Sequence, residues 1–142
     1  MRLFLKSLDY SPENIAVIIP INDDVKFIID GLHEAGIEAV NIHPHAFDST
    51  SENTVRVSTL HSVKGFDFPV VFLFLPRRSW CGNGYGEDAV ERMTRSLTYV
   101  GVTRAMEYLN VFTFEEPESA AITDLVAAFS LGAPDGSRKV DI

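Results

Sequence analysis

One cysteine, Cys81, stands among 142 residues. No disulfide can close within the chain, and no pair of thiolates is available to hold a metal. A reducing, cytoplasmic setting is the expectation. Long apolar runs are also missing: the longest, residues 70–75, has the length of a strand and falls far short of the ~20 residues that span a bilayer. A membrane partner is therefore not expected. The basic and apolar start, Met1-Arg2-Leu3-Phe4-Leu5-Lys6, is interrupted by Asp9, which argues against a secretion signal. There are no internal repeats and no low-complexity segments. Nor does the sequence contain a Gly-x-x-x-x-Gly-Lys-Ser/Thr phosphate loop or an acidic pair suited to magnesium, so it does not carry a self-contained site for a nucleoside triphosphate.

What is present suits one domain with its own core, since 46% of the residues are hydrophobic and 23% charged. The net charge of −8 argues at first against nucleic acid, but its distribution is uneven. Between positions 56 and 104 seven basic residues (Arg56, Lys64, Arg77, Arg78, Arg92, Arg95, Arg104) face four acidic ones (Asp67, Glu87, Asp88, Glu91), a balance of +3. A local positive face on an acidic body is one expectation; ordinary solvated surface is the other.

Strand and helix signals alternate. Residues 15–21 form a continuous apolar run ending near Pro20. Asp23 and Asp24 then open a helix with Val25, Ile28, Ile29 and Leu32 at helical spacing, closed by Gly36. Strands are predicted over residues 38–42, 55–60 and 70–75, the last apolar on both faces as a central parallel strand is. Loops are predicted over residues 43–54 and 77–86, a long helix over 87–107, a strand over 108–114 and a helix over 118–129. The expected organisation is a lead-in at 1–13, one domain at 14–131 and a flexible tail at 132–142. This order predicts a three-layer αβα domain of the α/β class, with a mainly parallel sheet and ligands at the carboxyl ends of its strands.

Two constellations carry chemistry. The first is Thr59-Leu60-His61-Ser62-Val63-Lys64-Gly65-Phe66-Asp67-Phe68, placed between two buried strands and expected at a carboxyl end. Threonine, histidine, lysine and a glycine backbone suit phosphates, whether of a nucleotide or of a nucleic acid. The second is the long helix, whose apolar stripe Val90, Met93, Leu97, Val100 continues onto Arg104. A guanidinium facing inward needs an anionic partner, because an unpaired buried charge costs several kcal/mol. Two readings stay open: a cation near a helix C-terminus paired with an internal acid such as Asp67, or an arginine aimed at nucleotide phosphates. Gly101, unfavourable in a helix by about 1 kcal/mol relative to alanine, suggests close packing there.

Thr59-x-His61-x-x-Lys64-Gly65-x-Asp67-Phe68-x-x-Val71-Phe72-Leu73 resembles motif V of the UvrD/Rep-type superfamily 1 DNA helicases. The stretch Arg95-Ser96-Leu97-Thr98-Tyr99-Val100-Gly101-Val102-Thr103-Arg104-Ala105 resembles their motif VI, with its Tyr-Val-x-x-Thr-Arg-Ala core. Residues 14–42 are similar to the strand-helix-strand that opens the second RecA-like domain of that family. The resemblance implies a RecA-like fold with Arg104 as the arginine finger reaching the γ-phosphate of ATP. It also implies nucleotide contacts through Gly65 and Asp67, and contacts of Thr59, His61 and Lys64 with the backbone of single-stranded DNA. Asp67 stands where the family usually has Glu, and no Asn-Tyr-Arg motif precedes Asn14.

The resemblance further implies that ATP and Mg2+ are held mainly by an N-terminal RecA-like ATPase domain, which this sequence lacks. The expected function is thus that of the second RecA-like domain of an ATP-dependent DNA helicase, cut from a longer protein or encoded as a remnant, inactive alone and nucleoid-associated when on DNA. Two other readings are weighed: a non-enzymatic interaction module that keeps the helicase fold and binds a partner protein through its acidic surface, served by Trp80 and Cys81, and a different α/β nucleotide-binding enzyme, which the missing phosphate loop disfavours.

Overall fold

Ile15-Ala16-Val17-Ile18-Ile19 is apolar at every position and buried at every position, the pattern of a strand with neighbours on both sides and layers above and below. In the computed structural model, which describes residues 10–42, 53–77 and 84–132, this strand, β1 (Ile15–Ile19), is the centre of a five-stranded sheet. The others are β2 (Ala39–Asn41), β3 (Val55–Thr59), β4 (Phe68–Phe74) and β5 (Ala105–Phe112), in the order β2-β3-β1-β4-β5. Each pairing is parallel. Three helices connect and cover the strands: α1 (Asp23–Glu34), α2 (Glu87–Val102) and α3 (Ala120–Gly132).

Successive residues of β1 serve opposite layers. Ile15, Val17 and Ile19 pack with Val55, Val57, Val70 and Phe72 beneath Val25 and Leu32 of α1. Ala16 and Ile18 pack on the other face with Val71, Leu73 and Ile122 of α3, joined at the margin by Leu97 and Val100 of α2. The expected αβα architecture with a parallel sheet is therefore present. Before β1, Tyr10 packs edge-on against Tyr108, with ring centroids 5.8 Å apart, and its hydroxyl donates to the Glu107 carboxylate. That hydrogen bond pushes the Tyr10 phenol up to about 12. No helix among the described residues is long and apolar enough to cross a membrane.

Four boundaries differ from expectation for physical reasons. β1 stops at Ile19, before Pro20, which has no N–H to give to a ladder. β4 begins two residues early because the Phe68 N–H bonds to the Arg104 carbonyl at 2.9 Å. The same bond ends the long helix early. α2 stops at Val102 rather than near Glu107, and β5 begins at Ala105, which is registered with Phe68. The last turn is closed locally: Thr103 donates its N–H to the Tyr99 carbonyl at 3.0 Å and its hydroxyl to the carbonyls of Tyr99 and Val100 at 2.9 and 3.1 Å. The predicted loops at 43–54 and 77–86 lie mostly outside the described residues, together with Arg78, Trp80 and Cys81. The lead-in and the tail also lie outside, apart from residues 10–13 and Gly132.

The stripe expected to face the core is displaced as well. Met93 is exposed, and the buried line of α2 is Thr94, Thr98 and Gly101. Small residues face inward because the helix comes very close to the sheet: a Cβ at Gly101 would stand 2.6 Å from Leu60 Cδ2 and 3.0 Å from Leu73 Cδ1. Both leucines are completely buried and have little room to yield. Gly31 of α1 is the contrast, with nothing within 4 Å of the same position. Urea unfolding should therefore separate the two glycines. Gly31→Ala is expected to stabilise the chain by ~1 kcal/mol through helix propensity, whereas Gly101→Val is expected to destabilise it by ~1–3 kcal/mol through overpacking.

Candidate functional site

The segment from Thr59 to Phe68 is folded by its own side chains. β3 ends beside the last residue of β1, and the chain leaves with the Leu60 N–H on the Ile19 carbonyl at 3.0 Å. A helical turn follows, in which the Thr59 carbonyl accepts from Ser62 and Val63 at 3.1 and 3.0 Å. The Thr59 hydroxyl receives the Ser62 N–H at 3.3 Å and donates to the Ser62 hydroxyl at 3.2 Å, a side-chain cap of the kind that starts helices. Phe66 closes the next turn onto the Val63 carbonyl at 3.0 Å, and Gly65, at φ 90°, takes the left-handed conformation that favours glycine.

This turn sorts the residues into two sets. Leu60 and Val63 are completely buried in the layer beneath α2, while His61, Lys64, Gly65 and Asp67 are exposed. His61 and Lys64 are three residues apart on the helical turn, a spacing that places side chains on one side. Thr59 is buried and its hydroxyl is engaged in the turn, so its place is to shape the loop that presents the other two.

Because β3 and β4 are parallel, the connection must cross the sheet to start again. Thr59 stands level with Ile19 at the carboxyl edge, whereas Phe68 precedes the position opposite Ile15 at the amino edge, a traverse of roughly 20 Å at strand rise. The segment expected wholly at a carboxyl end thus runs from one edge to the other. Asp67 emerges at the amino edge just before β4, and Arg104 stands just before β5.

There the two constellations meet. The Arg104 Nη1 lies 3.0 Å from Asp67 Oδ1. Its Nε donates to the Val100 carbonyl at 3.1 Å, Nη1 to the Phe66 carbonyl at 3.4 Å and Nη2 to the Thr103 hydroxyl at 3.3 Å. The Arg104 side chain is 21% exposed and that of Asp67 58%. With the carboxylate that open to solvent, the ion pair itself is worth only ~0–1 kcal/mol. The hydrogen bond to the helix end adds to it, since it gives the Val100 carbonyl, which also accepts from the Thr103 hydroxyl, a charged donor and places a cation at the negative end of α2. The inward arginine is as expected, and in this structure its partner is the internal acid of the first of the two readings, Asp67; its place just past the helix, rather than on it, was not expected.

The positive face is not assembled in the way the basic run suggests. Arg77 Nε pairs with Glu118 at 3.3 Å, Arg95 Nη2 pairs with Asp124 of α3 at 2.7 Å, and Arg56 is buried in β3. Sequence reading also misses Thr103 and the Phe66 and Val100 carbonyls, which set the guanidinium in place. The Thr-Arg pairing in the sequence was a signal for the first; backbone acceptors leave none. Glu91 was likewise unforeseen. Its carboxylate accepts from the Ser119 hydroxyl and the Ala121 N–H at 3.0 and 3.1 Å, tying the start of α3 to α2. Among the described residues no three His, Cys, Asp or Glu side chains cluster so as to hold a metal ion.

Comparison with known proteins follows the same outline. The chain is similar to ATP-dependent DNA helicase HMI1, mitochondrial, of Saccharomyces cerevisiae, with 38% identity over 64 residues that make up 45% of this chain and 8% of that protein. It is also similar to DNA helicase II of Escherichia coli, with 39% identity over 64 residues, 44% of this chain and 9% of that protein. The matched segment thus spans less than a tenth of the length of these curated relatives. In fold it is similar to the C-terminal domain of a possible DNA helicase from Lactobacillus plantarum, at a TM-score of 0.54 and 19% identity, covering 77% of this chain and 60% of that one. The model of the UvrD-like helicase C-terminal domain matches residues 13–116, and the chain therefore belongs to the UvrD-like helicase C-terminal domain family.

Proposed function

We propose that this chain works as the second RecA-like domain of an ATP-dependent DNA helicase, with Arg104 as the arginine finger and residues 59–68 as the element that joins nucleotide to DNA. The observation that carries the reading is the meeting of the two motif segments at one point: the Arg104 guanidinium lies 3.0 Å from Asp67 and is held by carbonyls on both sides of it. A guanidinium fixed in this way is set before any ligand arrives, which is what stabilisation of phosphoryl charge requires.

ATP and Mg2+ are held mainly by an N-terminal RecA-like ATPase domain of the same protein. Bound there, the nucleotide supplies the phosphoryl group and its charge. This chain contributes one guanidinium at the amino edge of β5, paired with Asp67, with Gly65 two residues earlier on the same loop as a further nucleotide contact. Single-stranded DNA lies against His61 and Lys64, whose exposed side chains fit sugar-phosphate backbone. Thr59 acts by holding the loop. Coupling follows from rigidity: Leu60 and Val63 are locked under α2, so movement of the Arg104 edge during cleft closure shifts the His61–Lys64 turn with it. The chain alone neither turns over ATP nor translocates, and the intact protein works in the cytoplasm, on the nucleoid when bound to DNA.

In the intact protein, Arg104→Ala should lower DNA-stimulated ATP turnover by ~1000-fold or more while leaving single-stranded DNA affinity within about twofold; unchanged turnover in a steady-state assay would refute the finger. Lys64→Ala should weaken DNA binding and reduce the slope of log affinity against log salt by about 1, as read by fluorescence anisotropy. Thr59→Val should behave differently, lowering the stability of the 142-residue chain by ~0.5–2 kcal/mol through loss of the cap; a variant that weakens DNA binding with no loss of stability would make Thr59 a direct contact.

A further inference from the structure

Arg104 is not waiting empty-handed. Its three nitrogens each donate to an uncharged acceptor, namely the Val100 carbonyl, the Phe66 carbonyl and the Thr103 hydroxyl. Those bonds fix the plane of the guanidinium without reducing its charge. Asp67 adds the anion, 3.0 Å from Nη1, on the same loop that supplies the Phe66 carbonyl. The neutral acceptors suffice to orient the side chain, so the carboxylate has a separate effect: it cancels the charge that an incoming phosphate would meet. A guanidinium recognises phosphate best through paired N–H donors. The Nη1 that such a fork would use lies against Asp67.

The geometry points to Asp67 as a positioning residue that acts through Arg104, an internal counter-anion that a nucleotide phosphate must displace before the finger engages. This rests on the reading of Arg104 as the finger. The exposure of the two partners suits such a role. Arg104, 21% exposed, is held firmly, whereas Asp67, 58% exposed, can swing into solvent as the phosphate takes its place, so that the half-buried guanidinium keeps an anionic partner throughout. A weakly held latch of this kind lowers the affinity of the arginine for stray phosphate while the cleft is open, yet yields to a phosphate delivered at close range. The loop that releases it is the one bearing His61 and Lys64, so the latch is placed to respond to DNA.

The test uses the 142-residue chain and sodium tripolyphosphate, a mimic of the nucleotide's phosphates, with the Arg104 Nε–Hε NMR signal as the readout. Asp67→Asn removes the charge and keeps the shape, and is expected to saturate at a 2–5-fold lower tripolyphosphate concentration than the natural chain. Asp67→Glu, which keeps the charge, is expected to titrate like the natural chain. In Asp67→Asn combined with Arg104→Ala, followed by isothermal calorimetry, the gain is expected to vanish. Equal saturation of the Asn variant and the natural chain, no response of the Arg104 signal in either, or a gain that survives loss of Arg104 would each overturn the latch. Failure of the finger itself reads out separately, as unchanged ATP turnover of the intact protein carrying Arg104→Ala.

Discussion

The Phe68 N–H bonds to the Arg104 carbonyl at 2.9 Å, and the arrangement of the site depends on that contact. It ends α2, starts β5, and places Phe68 opposite Ala105 as the first rung of the β4–β5 ladder. Once that rung is made, the residues just before each strand, Asp67 and Arg104, lie side by side at the amino edge of the sheet. The ion pair at 3.0 Å follows from the register more than it produces it. An exposed pair of this kind is too weak to order a backbone; a continuous parallel ladder that lays the edge strand β5 on the buried strand β4 is not.

Close packing then makes the arrangement stiff. Gly101 lets α2 sit against Leu60 and Leu73 with no gap for a Cβ. Leu60 starts the connection that carries His61 and Lys64, and three residues past Gly101 the same chain carries Arg104. One contact therefore bridges the start of one motif and the end of the other. In the helicase reading, this makes the domain a lever: the amino edge addresses nucleotide, the turn after β3 addresses DNA, and the link between them has little slack.

Much of the fold was legible because the strand signals are short, helix signals follow the first and fourth of them, and β1 and β4 are apolar on both faces, which leaves few alternatives to a parallel αβα domain. Where reading failed, a distant partner decided. Residues 103–107 contain good helix formers, and nothing local shows that Phe68 captures the Arg104 carbonyl. Met93 looked like core because it is apolar; Thr94, Thr98 and Gly101 hold the buried face because small residues permit close approach. The basic run suggested a positive face, but Arg77 and Arg95 are taken up by Glu118 and Asp124. At the site, the inward Arg104 was readable from the helical stripe and its need for an anion from its charge, but whether that anion was an internal acid such as Asp67 or a phosphate was left open. The engagement of the Thr59 hydroxyl inside its own turn was not, since the same threonine could equally have faced a ligand.

The central claim is that Arg104 exchanges one partner for another, Asp67 in the free domain and phosphate in the working enzyme. A crystal structure of the intact protein with single-stranded DNA, Mg2+ and ADP–aluminium fluoride tests it most directly. The account predicts the Arg104 guanidinium within hydrogen-bonding distance of the fluoride ligands, still bonded to the Val100 carbonyl, with Asp67 turned away. Arg104 still on Asp67, with another residue on the aluminium fluoride, would contradict it.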